Sequence, residues 1–221
     1  MEDMMPREKQ TRNAEKTKRL ILNAAEILFA EKGFAGTSVR EISERAGVSG
    51  PLILFHFRSK EGVYEAVKAA IIGRYASANS PAPRPNAPAG EFIRDFVGSM
   101  FAFYRDNPTM LLLAKWGHLE GEADPWPGED EWHHMYEEYF VSAQARGDIR
   151  GDLTPMNIFS FICGSIHIWW EYHEHFVRHA ENEGLRARAD DRFLNDLLGF
   201  ALRGLSPSPG DLEYSGTGRK C

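Results

Sequence analysis

Disulfide bonds and membrane spans have little support in this sequence of 221 residues. Its two cysteines, Cys163 and Cys221, are too few for a disulfide framework. The first residues, MEDMMPREKQTRNAEKTKR, lack the apolar core of a signal peptide, so we expect a protein of the reducing cytoplasm. Residues 153–170 contain no Asp, Glu, Lys or Arg, but Pro155 and several polar side chains interrupt them. We therefore expect a buried helix there and no membrane span.

Signatures of enzymes are also missing. The sequence contains no Gly-x-Ser-x-Gly, no glycine-rich phosphate loop and no dinucleotide fingerprint. Cys163 lies in an apolar run, which indicates a buried thiol rather than a nucleophile. Glu171, His175 and His179 share one helical stripe and could hold a metal, but the HExxH pattern is absent, so we interpret them as a polar helix face. We predict no catalytic residue, no metal and no cofactor.

Charge is distributed unevenly along the chain. Residues 1–60 hold eleven Lys or Arg against eight Asp or Glu, whereas residues 61–221 hold fifteen against twenty-four. The net positive charge of residues 1–60 indicates that this part of the chain binds a polyanion such as DNA, whereas the acidic remainder does not. A solvated, partly frayed start of the chain would show the same charge distribution. The basic residues of this start are Arg7, Lys9, Arg12, Lys16, Lys18 and Arg19.

Helical periodicity dominates and no run predicts a strand, so we expect an all-α fold of about nine helices. We divide the chain into a head (residues 1–60), a body (residues 61–205) and a tail (residues 206–221). The prolines of residues 77–90 predict an extended loop, and the composition of the tail predicts disorder. The helices predicted in the body beyond that loop cover 91–106, 109–119, 129–146, 155–179 and 189–205.

Two short helices in the head have the outline of a helix-turn-helix. Ser38 and Glu41 form a capping-box pattern at the start of the first helix, and Gly47 follows its end. Ser49 and Pro51 then predict the start of a second helix over residues 49–56. Such a helix fits the major groove of B-DNA, although structural helical hairpins share the pattern.

The sequence GFAGTSVREISERAGVS at 33–49, followed by FHFRSKE at 55–61, resembles the N-terminal domain of the TetR family of bacterial transcriptional repressors. The resemblance covers about residues 17–67. Beyond residue 90 it extends only to helix count and order and to the RGDIR turn at 146–150. The resemblance implies an all-α homodimer that binds operator DNA. It also implies that a small molecule entering the C-terminal domain releases the DNA.

The resemblance also implies a set of DNA contacts. Thr37 and Lys60 match positions that hold phosphates, although Thr37 fits a structural role equally well. His56 matches a frequent DNA contact, and packing against its neighbour is the alternative. Leu52 and Leu54 stand where the family has Thr and Tyr. Leu54 cannot donate a hydrogen bond to phosphate, and Leu52 offers only apolar contact, for example to a thymine methyl. The predicted DNA-binding residues are Arg12, Thr37, Ser38, Arg40, Ser49, Gly50, Pro51, Leu52, Leu54, Phe55, His56 and Lys60.

Aromatic side chains are frequent in the body and predict a pocket between helices, with apolar walls and a few polar groups. We expect an apolar or aromatic effector. The acids of the 120–130 segment leave a cationic effector open through cation–π contact, and a solvated loop is their alternative. The predicted pocket residues are Phe103, Met110, Trp116, Tyr136, Phe159, Cys163, His167 and Trp170.

The last two helices are predicted to form a homodimer, because small residues permit close approach and apolar residues recur at helical spacing. A two-fold dimer places two recognition helices about 34–36 Å apart, or a multiple of that, so a palindromic operator is expected. The predicted interface residues are Gly164, Ser165, Phe193, Leu197, Leu198, Ala201 and Leu205. The sequence thus predicts a ligand-responsive repressor. The alternatives are a small all-α metal-dependent or enzymatic protein that uses the His/Glu face, and an effector-independent DNA binder.

Overall fold

The computed structural model describes residues 5–77 and 87–207, and every regular element in these two segments is helical, as the sequence predicts. None of the described helices combines the length and apolar character needed to cross a bilayer. The tail from residue 208 onward and most of the proline-rich loop lie outside the described residues. The helices are α1 (Met5–Lys32), α2 (Val39–Ala46), α3 (Gly50–Phe57), α4 (Lys60–Ser77), α5 (Ala89–Asp106), α6 (Pro108–Leu119), α7 (Glu129–Ala145), α8 (Pro155–Glu171), α9 (His173–Phe176) and α10 (Glu183–Leu205).

The predicted start of α2 is confirmed, and a glycine follows the end of α1. α1 ends at Gly33, whose φ of +73° lies in the left-handed region that glycine adopts freely. At the start of α2, the amide of Glu41 donates to Ser38 Oγ at 3.3 Å, and the amide of Ser38 donates to Glu41 Oε2 at 2.9 Å. This reciprocal capping box fixes where α2 begins and hence how it is oriented on α1.

The predicted side-chain cap at Ser49 is wrong. Ser49 does occupy the N-cap position of α3, but its hydroxyl makes no capping hydrogen bond. Pro51 has no amide hydrogen to donate, and the Ser49 carbonyl instead accepts from Leu52 and Ile53 at 3.0 and 3.3 Å. The start of α3 is therefore set by backbone bonds and by proline.

One continuous core joins the head to the body. Phe29 of α1, Ile42 of α2 and Ile53 of α3 are fully buried and pack with Val63 of α4. Burial of each such side chain contributes about 1.5–3 kcal/mol to folding. α3 is thereby held by one face only, and its other face remains open to solvent.

The body is built around aromatic side chains from three helices. Phe96 of α5 lies 4.7 Å from the ring of Tyr136 of α7 and 5.9 Å from that of Phe159 of α8. The hydroxyl of Tyr136 lies 3.3 Å from that of Tyr75 near the end of α4. These contacts fix α4, which connects head and body, against the centre of the body.

Three of the predicted helix boundaries need correction, and residues 5–77 and 87–207 contain ten helices where about nine were predicted. The long helix predicted to continue to residue 179 ends at Glu171, because His173 and Trp169 both bond Asp190 of α10, at 2.8 and 3.1 Å. α10 begins near residue 183 rather than 189, since the Asn182 side chain caps it by accepting from Leu185 N. α5 begins at Ala89, two residues earlier than predicted.

Candidate nucleic-acid interface and interhelical cavity

α3 presents an apolar stripe to solvent. Pro51, Leu54 and Phe55 occupy positions i, i+3 and i+4, and Arg58 at the C-cap extends the same stripe to i+7. Leu54 is 44% exposed and Phe55 is 79% exposed. Of the remaining predicted contacts on this helix, Gly50, Leu52 and His56 are half-buried at its sides, and Ser49 is exposed at its start.

Two predicted phosphate contacts are engaged inside the protein instead. Thr37 is buried, and its hydroxyl donates to carbonyl oxygens of Gly33 and Leu28, with the shorter distance 2.8 Å. The Lys60 ammonium donates to the carbonyls of Phe34 and Thr37 at 2.9 and 3.0 Å and lies 4.1 Å from the centre of the Phe34 ring. Both side chains hold the loop between α1 and α2, because they donate hydrogen bonds to its backbone carbonyls and to the end of α1.

The other polar residues of the predicted interface remain at the surface. Arg40 is exposed and pairs with Glu44 one turn later, at 2.8 Å. Ser38 is exposed but its hydroxyl belongs to the capping box. Arg12 is exposed on α1, and it borders an open groove with other basic and acidic side chains of that helix and Arg74 of α4.

A cavity of about 210 Å³ lies between α4, α5, α6, α7 and α8. Its walls are mostly aromatic and aliphatic, with a carboxylate and two imidazoles among them. Burial raises the pKa of the Cys163 thiol and of the Tyr104 hydroxyl, so both are neutral hydrogen-bonding groups in its wall. The lining residues are Ile72, Met100, Tyr104, Met110, Leu111, Ala114, Trp126, Glu129, Trp132, His133, Phe159, Cys163 and His167.

Four of the eight predicted pocket residues line this cavity, namely Met110, Phe159, Cys163 and His167. The other four do not. Phe103 and Tyr136 are buried in the aromatic core around Tyr75. Trp116 faces the head, and Trp170 stacks on His173 at 4.8 Å, away from the lining. Helical spacing alone could not decide which aromatic residues border empty space.

Sequence reasoning missed Trp126 and Trp132, which flank the Gly128 turn before α7 and both line the cavity. Of the acids of the 120–130 segment, Glu129 lines the cavity, and its carboxylate also accepts from the Trp126 amide at 2.7 Å. The tryptophans beside this Gly/Pro-rich break are the signal that could have indicated them, because large aromatic rings in a solvated loop are unusual.

α6 links the cavity to the head. On its cavity side lie Met110, Leu111 and Ala114. On its other side, Trp116 Nε1 donates to the carbonyl of Ala30 at 3.2 Å. Glu120, just past the end of the helix, accepts from the amides of Phe34 and Ala35 at 3.1 and 2.9 Å.

The approach of α6 to the head requires glycine at position 33. A Cβ atom on Gly33 would lie 2.6 Å from Glu120 Oε1 and 2.8 Å from Trp116 Cε3. Both the positive φ and this contact therefore exclude a larger residue.

α8 and α10 carry the exposed apolar surface of the body. Phe161 and Phe200 are 62% and 73% exposed and border a shallow groove with Ser165 and Gly204. Of the predicted interface residues, Gly164 is exposed and Leu198 is half-buried. Three others, Leu197, Ala201 and Leu205, are buried within their own protomer, and Phe193 stacks on Trp169 at 4.3 Å.

Glu171 of the predicted His/Glu face and the nearby His173 are engaged in pairs. Glu171 lies 2.9 Å from the Lys115 ammonium and 3.4 Å from His167 Nε2, and His173 bonds Asp190. Among the residues that the structure describes, no three His, Cys, Asp or Glu side chains are grouped so that they could hold a metal ion.

Comparison with curated proteins identifies relatives that match about half of this chain. The regulator RutR of Escherichia coli (strain K12) is 33% identical over 105 residues, which are 48% of this chain and 49% of RutR. The uncharacterized HTH-type transcriptional regulator YerO of Bacillus subtilis (strain 168) is 31% identical over 101 residues, 45% of this chain and 35% of YerO. The chain spans about half the length of these relatives or less.

Two solved structures share the fold over most of the chain. The putative transcriptional regulator SCO4942 of Streptomyces coelicolor superposes with a TM-score of 0.70 at 20% sequence identity. The superposition covers 87% of this chain and 99% of the SCO4942 chain. A TetR/AcrR-family transcriptional regulator of Thermobifida fusca YX-ER1 superposes with a TM-score of 0.55 at 22% sequence identity. This superposition covers 82% of this chain and 96% of the Thermobifida chain.

Two family models match the chain in succession. Residues 21–67 match "Bacterial regulatory proteins, tetR family", and residues 93–193 match "Tetracyclin repressor-like, C-terminal domain". The first match contains the helix-turn-helix of α2 and α3, and the second contains most of the cavity. The curated relatives are transcriptional regulators and not enzymes. The chain therefore belongs to the TetR family of transcriptional regulators.

Proposed function

We propose that this protein is a ligand-responsive repressor that binds a palindromic operator as a homodimer in the cytoplasm and is released by an apolar or aromatic small molecule. The head, residues 1–60, binds the DNA. The body, residues 61–205, holds the effector and the partner subunit. The observation that carries the proposal is the position of α6, which forms a cavity wall on one side and contacts the end of α1 on the other.

The switch follows from where α6 lies. The free dimer holds its two heads at operator spacing. A molecule in the cavity pushes on Met110 and Ala114, shifts α6, and moves the α1–α2 loop through Glu120. The effector must bind the released arrangement more tightly, because equal affinity for both arrangements shifts nothing. A coupling free energy of about 1–3 kcal/mol would lower operator affinity about 5–150-fold.

The size of the cavity limits the effector. An engineered apolar cavity of about 150 Å³ accommodates benzene. The cavity of about 210 Å³ here therefore has room for one ring with a short substituent. Tyr104, His133 and His167 supply polar groups at its edge, which suits an aromatic molecule with one or two hydrogen-bonding groups.

The test has two stages. Selection of bound sequences from random DNA, using the full chain, should recover a palindrome. Single-ring aromatic compounds are then screened by thermal shift, and operator affinity is measured with each hit at saturation. Ala114→Phe fills the cavity and should remove the response to the hits while operator binding persists. Operator affinity that stays unchanged at saturation would rule out the switch, and a selection that yields no sequence would rule out specific DNA binding.

The alternative of a metal-dependent or enzymatic protein has no support from the site. Its His/Glu face is occupied by the Glu171–Lys115 and His173–Asp190 pairs. The alternative of an effector-independent DNA binder predicts a filled body, which does not fit the cavity beside α6. Neither is favoured by a specific observation.

A further inference from the structure

The outward stripe of α3 has an unusual chemistry for a surface that is to recognise DNA. Ile53 holds the inner face of the helix and is fully buried. The outer face carries Pro51, Leu54 and Phe55, none of which has a side-chain hydrogen-bond donor or acceptor. Arg58, which is exposed, adds a guanidinium at its end.

The fold does not explain this stripe. Phe55 is 79% exposed, and its ring has an edge contact with the neighbouring His56 at 5.3 Å. An exposed phenyl group costs hydration free energy that is recovered only when a partner covers it. Since the helix is anchored from its opposite side by Ile53, removal of the Phe55 ring leaves the packing of the head intact.

The head has few free polar side chains near α3 that could recognise bases. Thr37 and Lys60 are bonded to backbone carbonyls. The Ser38 hydroxyl takes part in the capping box, and Arg40 pairs with Glu44. The exposed middle of α3, formed by Leu54 and Phe55, therefore offers bases apolar contact, with the half-buried His56 beside it as a polar side chain of this helix.

The major groove offers one strongly apolar feature, the 5-methyl group of thymine. We propose that Leu54 and Phe55 recognise the operator through thymine methyl groups, so that each half-site contains at least one thymine whose methyl is buried against them. This inference rests on the proposed operator binding and specifies its chemistry. Arg58, which is exposed at the C-cap of α3, favours a nucleic acid over an apolar protein as the partner.

The experiment removes the methyl groups without touching the protein. In the palindrome recovered by selection, each thymine is replaced in turn by deoxyuridine, which pairs identically and lacks only the 5-methyl. Burial of one methyl corresponds to about a fourfold change in affinity. We therefore expect about a fourfold loss at one or two positions per half-site, about 15-fold when a symmetric pair is replaced, and no change elsewhere.

Variants assign those positions to residues. In Phe55→Ala or Leu54→Ala protein, the deoxyuridine effect at the matching position should disappear, while Val141→Ala, an exposed apolar residue on α7, should retain it. Thermal melting checks that each variant is folded. If every deoxyuridine operator binds as tightly as the thymine operator, or if the effect persists in both α3 variants, the inference is overturned. The palindrome and its binding would still support the proposed function, so the two failures are distinguishable.

Discussion

Lys68 of α4 and Glu122 of the loop after α6 form an ion pair with 2.5 Å between Nζ and Oε1, on a lysine that is only 1% exposed. Glu65 approaches the same ammonium at 2.7 Å, and the Tyr64 hydroxyl donates to Glu122 at 3.2 Å. Burial disfavours the charged lysine, but the hydrogen bonds that its ammonium donates to Glu122 and Glu65 outweigh this effect and raise the pKa of Lys68. A permanently charged group thus connects α4 to the segment that follows α6.

Glu122→Gln should destabilise the protein, because it removes the less exposed of the two carboxylates that neutralise a buried ammonium. We expect the free energy of unfolding to fall by about 1–3 kcal/mol, with an unchanged m-value in urea. Glu65→Gln is the matched control, since Glu65 is about half exposed and its pair is screened by water. An effect of Glu65→Gln equal to that of Glu122→Gln would contradict the assigned role of Glu122.

The Lys68 pair shows what the sequence could and could not determine. Val67 and Ile71 follow the apolar periodicity of α4, but that pattern does not predict the burial of the lysine between them. The partner, Glu122, lies 54 residues away, and no local pattern indicates it. Caps, turns and helix types depend on neighbouring residues and are therefore predictable. Contacts between distant segments depend on how the helices pack.

The same distinction explains the outcome for Thr37 and Lys60. The motif match aligns both residues with family positions, but it does not reveal which atoms their side chains bond. The Trp126 and Trp132 walls of the cavity likewise follow from the packing of α7 against α5 and α8. The sequence predicted an aromatic pocket in the body, and it could not decide which side of each helix borders it.

Lys60 should act on stability and not on DNA affinity. Lys60→Met removes two hydrogen bonds to the α1–α2 loop, so we expect the free energy of unfolding to fall by about 1–3 kcal/mol. The slope of log binding constant against log salt should stay unchanged for non-specific DNA. In contrast, Arg12→Ala, Lys16→Ala and Arg19→Ala, all exposed on α1, should each reduce that slope by about one. Fluorescence anisotropy at several salt concentrations measures it. A reduced slope in Lys60→Met would show that Lys60 contacts a DNA phosphate.

Phe200 should be an anchor of the proposed homodimer, because it is the most exposed large apolar side chain of α10. Phe200→Glu would place a charge in the interface and should convert the dimer to a monomer in light-scattering chromatography. Operator affinity should fall with it, because two linked heads are needed for a palindrome. Val141→Glu on α7, also an exposed apolar site, should leave the dimer intact. A Phe200→Glu protein that remains dimeric would place the interface elsewhere.

Glu41 should make the head sensitive to acid. Hydrogen bonds from Lys32 and Ser38 lower the pKa of Glu41 from its ordinary 4.5 to about 2. Because the pKa is lower in the folded state, the stability from this group is complete above about pH 4.5 and is lost as the pH falls towards 2. Thermal melting of Glu41→Gln between pH 2 and 6 should therefore show less pH dependence than the unchanged protein. Parallel curves for the two proteins would argue against the capping box as its source.

Glu120 should control how firmly α6 is held to the head. Glu120→Ala removes the acceptor for the amides of Phe34 and Ala35, and hydrogen bonds to a charged group contribute about 1.5–3 kcal/mol. Hydrogen exchange of these two amides should accelerate by about tenfold or more, while that of Val63 in the core stays slow. Glu131→Ala, an exposed acid on α7, is the control. If α6 transmits the effector signal through this contact, Glu120→Ala should also reduce the effect of a cavity ligand on operator affinity. Unchanged exchange at Phe34 and Ala35 would show that Glu120 is not needed to hold α6 to α1, and that the bonds of Trp116 to Ala30 and of Thr109 to Glu26 suffice.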